Sequence, residues 1–388
     1  MKILKYALPI FFLVAVIFGC EKETPTAPEA PTPVITSIEP DSAYGGEPVI
    51  ITGNNFNPEP NKNIITFGGY NSTRAFDATE TTLKAIAPAV GGMEFFTVKV
   101  NVIRLDCTHW SNALDFTFPP IMSIFRDDFS NTRGIEFDED GNCYVSDADD
   151  WAVYKITPAG DKTVYADVSG PGDIAFDRDG YLYLCFGDWD DVIYRIAPGG
   201  GDYEVFTDKI PEPFSVDWDD NGNMYVIGAW DTHIWRITPD LEISQLDIDI
   251  DHGGDVKVFE GYLYWSDRGY WEEGNNCIMK APITAGGLGA PEIVYEDPDW
   301  SGTYIWGPQG INIDIEGNVY AVSSYDQCSN LSRFKPDGTA EVFVELPTLN
   351  NKYIAFFGKD VYITTQWEGV IYKVYVGVEG YPPYAWGP

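Results

Sequence analysis

Phe137-Asp138-Glu139-Asp140-Gly141-Asn142-Cys143-Tyr144 reads as an apolar residue, Asp, any residue, an acid or Asn, Gly, two further residues and Tyr. The phrase returns at Phe176 to Tyr183, Trp218 to Tyr225 and Ile313 to Tyr320, and looser copies end at Tyr264 and Tyr362. Asp and Gly between apolar runs make a tight turn, because one position needs positive φ. A hairpin repeated six times along 388 residues marks a repeat architecture. The functional question then moves from single catalytic residues to surfaces made by repetition.

The counterparts of Gly141 are Gly180, Gly222, Gly261, Gly317 and Gly358, spaced about 40 residues apart except for the longer step from Gly261 to Gly317. Each unit reads as four strands. The first leads into the turn and the second carries the Tyr. The third holds an apolar residue, any residue, then Lys or Arg, as in Val153-Tyr154-Lys155 and Leu331-Ser332-Arg333. The fourth ends in an acid, as in Val164-Tyr165-Ala166-Asp167 and Val342-Phe343-Val344-Glu345. A twisted four-stranded sheet cannot bury both faces alone, but radial stacking buries them and leaves short edges. The spacing therefore predicts a six-bladed β-propeller. The last unit has no fourth strand after Lys373, and Ile124-Phe125-Arg126-Asp127 carries the missing signature. That N-terminal outer strand is expected to close the ring. The repeats resemble NHL-type propellers and, more distantly, the SMP-30/gluconolactonase-like group, over about residues 121 to 376.

Upstream the texture changes. Residues 34–118 alternate short β-rich runs, such as Ile64-Ile65-Thr66-Phe67 and Phe96-Thr97-Val98-Lys99-Val100, with turns at Gly45-Gly46, Gly68-Gly69 and Gly91-Gly92. The spacing suits a seven-stranded sandwich. Ile35, Ile38, Pro40, Gly46, Val49, Ile51, Gly53 and Phe56, then Phe67-Gly68-Gly69 and Ala87-Pro88, resemble the IPT/TIG family of immunoglobulin-like domains. The resemblance implies a spacer or binding module rather than an enzyme. The fold class is thus all-β: an Ig-like sandwich followed, from residue 119 to 388, by the propeller.

The first twenty residues read as an address. Lys2 and Lys5 precede an apolar run from Tyr6 to Phe18, too short for a comfortable membrane span. Ile17-Phe18-Gly19-Cys20 resembles the lipobox of bacterial lipoprotein signal peptides, which implies lipidation at Cys20. The rival reading is an ordinary secretory signal with an incidental Cys. Residues 21–33, EKETPTAPEAPTP, cannot form a core and make a stiff tether. Glu21 favours the outer membrane by analogy, on its periplasmic or its external side.

Sixty acids against 24 bases give a net charge of -36. Such a surface repels phosphate backbones, so nucleic acid is an unexpected partner. The membrane is expected to be touched only through the lipid, and the chain to be a monomer.

The loops between second and third strands share a face with the loops entering each first strand. Each unit places an aromatic there: Trp151, Trp189, Trp230, Trp271, Tyr325 and Trp367. Carboxylates surround them, including Asp147, Asp149, Asp150 and Asp267. Aromatic faces stack on sugar rings, and carboxylates bond hydroxyls or calcium. The competing reading is that each ring packs against the neighbouring blade. The entrances to the first strands supply Arg133, Asp173, Ser215, His252, Asp255, Gln309 and Lys352. Of these, Asp173, His252, Asp255 and Gln309 are the candidates for a divalent cation, such as calcium, at the channel mouth. No other cofactor is expected. Cys277 and Cys328 fall in the same loop of adjacent units, leaving a disulfide or two thiols open. No catalytic set is recognisable. The expected function is a lipid-anchored envelope protein whose propeller binds a glycan or an envelope or extracellular protein. The alternative is a metal-dependent hydrolase, lactonase or lyase at the channel mouth.

Overall fold

The computed structural model describes residues 30–69, 71–88, 92–186, 190–230, 232–268, 276–297, 305, 307–323, 329–348 and 350–387. Regular structure among them is strand, apart from single 3-10 turns at Pro60–Lys62 and Tyr384–Trp386. No helix among the described residues is long and apolar enough to cross a membrane. The chain divides into two compact units. One comprises residues up to Ala89 with Thr97–Thr117, the other Val90–Phe96 with Phe118–Pro388.

The first unit is a sandwich. One sheet pairs Val34–Glu39, Pro48–Asn54, Thr82–Ile86 and Asp77–Ala78 in that order. The other orders Asn71–Arg74, Asn63–Phe67, Phe96–Arg104 and Leu114–Phe118. Eight strands replace the expected seven, because the two-residue strand Asp77–Ala78 is too short to show alternation. Alternate residues face inward, and Val49, Ile51, Ile65, Leu83, Val100, Val102 and Phe116 are fully buried.

In the second unit six sheets follow one another along the chain. Their innermost strands are Thr132–Phe137, Ile174–Phe176, Pro213–Trp218, Gly253–Phe259, Pro308–Ile313 and Asn351–Phe357. Each packs against the next, and the first packs against the last, so the sheets form a closed propeller. Thr132 Oγ1 donates to Thr365 O (2.9 Å) across this closing seam. The fourth strand of the sixth sheet is Met122–Arg126, antiparallel to Ile371–Tyr375, with Ile124 opposite Tyr372 and Ser123 opposite Lys373. The expected outer strand is therefore the clasp. In the fourth sheet the third strand, Cys277–Thr284, runs on into an extra hairpin with Gly287–Leu288, which accounts for part of the long step between units.

The repeated phrase has a physical reading. The Gly of every copy has positive φ, from 60° to 81°. Asp314 Oδ1 accepts from Asn318 N (2.9 Å), while Oδ2 accepts from Asn318 Nδ2 (2.7 Å) and Tyr320 OH (3.2 Å). Asp138 and Asp219 bind Asn142 with Tyr144 and Asn223 with Tyr225 in the same way. The Tyr ring then meets the next sheet: Tyr144 packs edge-on to Phe176 at 4.8 Å, Tyr183 to Trp218 at 5.2 Å and Tyr320 to Phe356 at 5.3 Å. Arg333 lies over Tyr320 and pairs with Glu341 of the fourth strand, as Lys280 does with Tyr264 and Glu292, whereas Lys155 lies over Tyr144 and pairs with the turn carboxylate Asp138. One short phrase thus locks its turn and joins neighbouring sheets.

Candidate functional site

Loops between second and third strands leave each sheet where its innermost strand begins. In the first sheet Asp147, ending the second strand, pairs with Thr132 at the start of the innermost one. The Asp-Gly turns lie at the opposite end. On the loop face Trp151, Trp230 and Trp367 are 62%, 51% and 64% exposed; Trp151 and Trp367 stand in solvent, while Trp230 also leans one edge on His252 of the next sheet. Trp151 and Trp367 also have positive φ, 55° and 70°. That conformation is an outlier for a bulky side chain. Trp189, Trp271 and Tyr325 lie outside the described residues, as do Cys20 and Cys328. The Cys277 thiol is buried. Some loop carboxylates are consumed by the backbone: Asp147 accepts from Ser130 N (2.7 Å) and Asn131 N (3.1 Å), and Asp267 from Asp251 N and His252 N (both 2.9 Å). Asp149 and Asp150 stay on the surface beside Trp151.

The four channel-mouth candidates separate into two groups. The His252 ring packs edge-on to Trp230, with centroids 4.0 Å apart. Burial, with Arg268 and Lys352 nearby, pushes its pKa down to about 3, so the ring is neutral. Gln309 Oε1 accepts from Arg268 (3.0 Å). Arg268 and Lys352 flank the Phe214 ring at 4.7 and 4.9 Å. Asp173 and Asp255 instead face the channel axis. Ser215 Oγ donates to Asp255 Oδ1 (2.6 Å), and Asp255 Oδ2 accepts from Ile311 N (2.9 Å) on the next sheet. Among the described residues no three His, Cys, Asp or Glu side chains come close enough to hold a metal ion. The channel-mouth metal implied by the gluconolactonase-like resemblance therefore finds no matching ligand set in them, and two cations stand beside His252 and Gln309.

The channel itself is lined in layers, because alternate residues of each innermost strand point inward. Counted from the residue that pairs with each motif Tyr, one layer holds Glu136, Ala175, Asp217, Lys257, Asn312 and Ala355. Two residues earlier lie Gly134, Asp173, Ser215, Asp255, Gly310 and Tyr353. Glycine is required at two of these positions. A Cβ on Gly134 would sit 2.6 Å from Ile174 N, and one on Gly310 2.7 Å from Lys352 O. The upper layer is therefore tight, and Tyr353 spans it to donate to Phe214 O (3.2 Å). The lower layer has alanine at two of six places and opens into a cavity of about 310 Å3. Its floor, on the turn face, is the C-terminal segment Tyr381-Pro382-Pro383-Tyr384.

Lys257 Nζ lies 3.2 Å from Asp255 Oδ1. Burial works against its charge, but Asp255, Asp173, Asp217 and Glu136 outweigh that and raise its pKa. Glu136, Asp217 and Lys257 keep some accessible surface, and all three line the cavity. Burial pushes the Glu136 carboxyl up to about 8, Asp173 to about 7 and Asp217 to about 6, against the pull of Lys257. Sequence reasoning found Asp173 and Asp255 but missed Glu136, Asp217 and Lys257. The signal was their common offset from the motif Tyr.

Residues 33–118 match the family model of the IPT/TIG domain. The first unit carries an IPT/TIG domain. Solved structures share the architecture. An auxiliary nutrient binding protein from Bacteroides ovatus is 16% identical, aligned over 91% of this chain and 99% of its own, with a TM-score of 0.55. One from Bacteroides thetaiotaomicron is 14% identical over 90% and 98%, with a TM-score of 0.54. A gluconolactonase from Xanthomonas campestris is 16% identical over 67% of this chain and 89% of its own, with a TM-score of 0.55. At such identities the likeness shows the fold alone. No curated protein matches the sequence.

Proposed function

We propose that this is a non-catalytic binding protein of the bacterial cell envelope, anchored through Cys20, whose propeller loop face recognises a glycan. The observation that carries the reading is the exposure of Trp151, Trp230 and Trp367 on one face. A solvent-facing indole presents a flat apolar surface of sugar-ring size, and Asp149 and Asp150 beside Trp151 supply acceptors for hydroxyls. Trp151 and Trp367 hold positive φ, and local strain of this kind clusters at ligand clamps. The similar auxiliary nutrient binding proteins add support for a binding role in an envelope. The tether and the IPT/TIG domain would serve as spacers between bilayer and propeller.

A glycan array probed with the wild-type chain and with the triple variant Trp151→Ala/Trp230→Ala/Trp367→Ala tests this. Retention of a defined oligosaccharide class by the wild type, lost in the variant, is the expected result. Capture of an envelope protein with no glycan signal would replace the glycan by a protein partner. Binding that survives in the triple variant would remove the loop face from the account.

A further inference from the structure

The cavity on the channel axis lies away from the exposed tryptophans, and its chemistry is different. Its wall is apolar where Ala175, Ala355, Tyr353, Tyr381 and Pro382 contribute, and acidic elsewhere. Glu136, Asp173, Asp217 and Asp255 face the axis with one ammonium, Lys257, whose direct partner is Asp255. Asp217 is held by Trp218 N (2.9 Å) and Val258 N (2.7 Å), and Glu136 accepts from Phe137 N (2.9 Å). Asp173 is different: it is 3% exposed, it lines the cavity, and its Oδ2 has no hydrogen-bond partner. A buried carboxylate oxygen left without a donor costs free energy. The arrangement lacks a cation with hydrogen-bond donors.

We infer that this cavity is a binding site for a small organic cation, an aliphatic ammonium compound, held by Asp173, Glu136 and Asp217 with its carbon chain along the apolar wall. A bare metal ion fits less well, because no three acidic or histidine side chains among the described residues converge to coordinate one. An ammonium needs only hydrogen bonds to separate carboxylates, and its charge displaces the protons that burial otherwise leaves on Glu136 and Asp173. The space exists because the lower layer carries Ala175 and Ala355 where other sheets carry longer side chains. Its volume, about 310 Å3, stands at the small end of ligand pockets, which suits a short chain rather than a sugar ring system. Tyr353 and Phe214 close the loop-face end, so entry is on the turn face, beside the segment Tyr381–Tyr384 that covers part of it. There Asp219, Asp220 and Glu260 outnumber Arg178 around the rim.

The test is isothermal titration of the full-length protein with 1,5-diaminopentane, with 1,5-pentanediol as the neutral counterpart and sodium chloride as the ionic control. One saturable site for the diamine, and none for the diol or sodium, is the expected result. Asp173→Asn should weaken it at least about tenfold, the scale of a lost charge-assisted hydrogen bond. Ala175→Leu fills the cavity without touching a carboxylate and should abolish binding; if it fails to fold, Asp173→Asn decides alone. No diamine binding by the wild type, equal binding of the diol, or undiminished binding by the variants would overturn the assignment. The loop-face reading does not depend on this outcome.

Discussion

Tyr320 shows at residue scale what one motif position contributes. It is fully buried, its hydroxyl donates to Asp314, and its ring packs on Phe356 of the next sheet. Tyr320→Phe keeps the ring but removes two hydrogen bonds, the one donated to Asp314 and the one accepted from Arg333, so a loss of about 2 kcal/mol is expected. Tyr320→Ala also opens a cavity between two sheets and should cost about 3–5 kcal/mol. Urea unfolding of the two variants, followed by tryptophan fluorescence, measures the difference. The Asp-Gly copies were legible in sequence because each carries its own partners within a few residues. The channel residues were not. A β-bulge enters five of the six innermost strands near their starts. It shifts the inward face, so Arg133, His252, Gln309 and Lys352 do not continue the line of Asp173, Ser215 and Asp255.

Two elements hold the ring at the scale of strands. The clasp Met122–Arg126 could be read from sequence, since the sixth unit lacked a fourth strand and the chain before the first unit carried one. The segment from Gly377 to Gly387 could not. It has no periodicity, and its role lies in contacts with turns far apart in sequence. Gly380 N donates to Gly358 O, Tyr381 N to Ile313 O and Trp386 Nε1 to Phe137 O. Tyr381 packs on Phe259, Tyr384 stacks on Trp218, and Arg178 covers Tyr384 at 4.1 Å. Every sheet is touched once or more, so the segment straps the turn face. Truncation after Gly377 strips three half-buried aromatics. Taking roughly 1 kcal/mol for each half-burial, the propeller should lose about 3 kcal/mol while keeping its β-type circular dichroism. Unchanged stability would show that the strap is only laid against the ring.

For the whole molecule, charge makes stability depend on pH. Glu136, Asp173 and Asp217 keep their protons to higher pH in the folded chain than in the unfolded one. His252, whose pKa burial lowers to about 3, works the other way below its usual value of 6.5, but it is one group against three. Between pH 5 and 8 the folded state therefore binds more protons, and stability falls as pH rises. Asp106, Asp128 and Glu341, whose pKa values are lowered by Arg104, Arg126 and Arg333 against the effect of burial, are ionised in both states across this window and do not oppose the trend. The net charge of -36 adds repulsion in the same direction. Thermal melts from pH 5 to 8 should show a falling midpoint, and Glu136→Gln should flatten the slope. A midpoint that rises over this range would contradict the buried network.

The central claim is that the loop tryptophans serve a ligand and not the fold. Its most direct test is the stability of the double variant Trp151→Gly/Trp367→Gly. Positive φ costs a bulky residue about 1–3 kcal/mol, and glycine removes that cost while returning some chain entropy to the unfolded state. Urea unfolding should therefore find the double variant equal to the wild type or more stable by up to about 2 kcal/mol. A loss of more than about 1 kcal/mol, the scale of a lost packing contact, would show that these rings are structural and would remove the recognition surface.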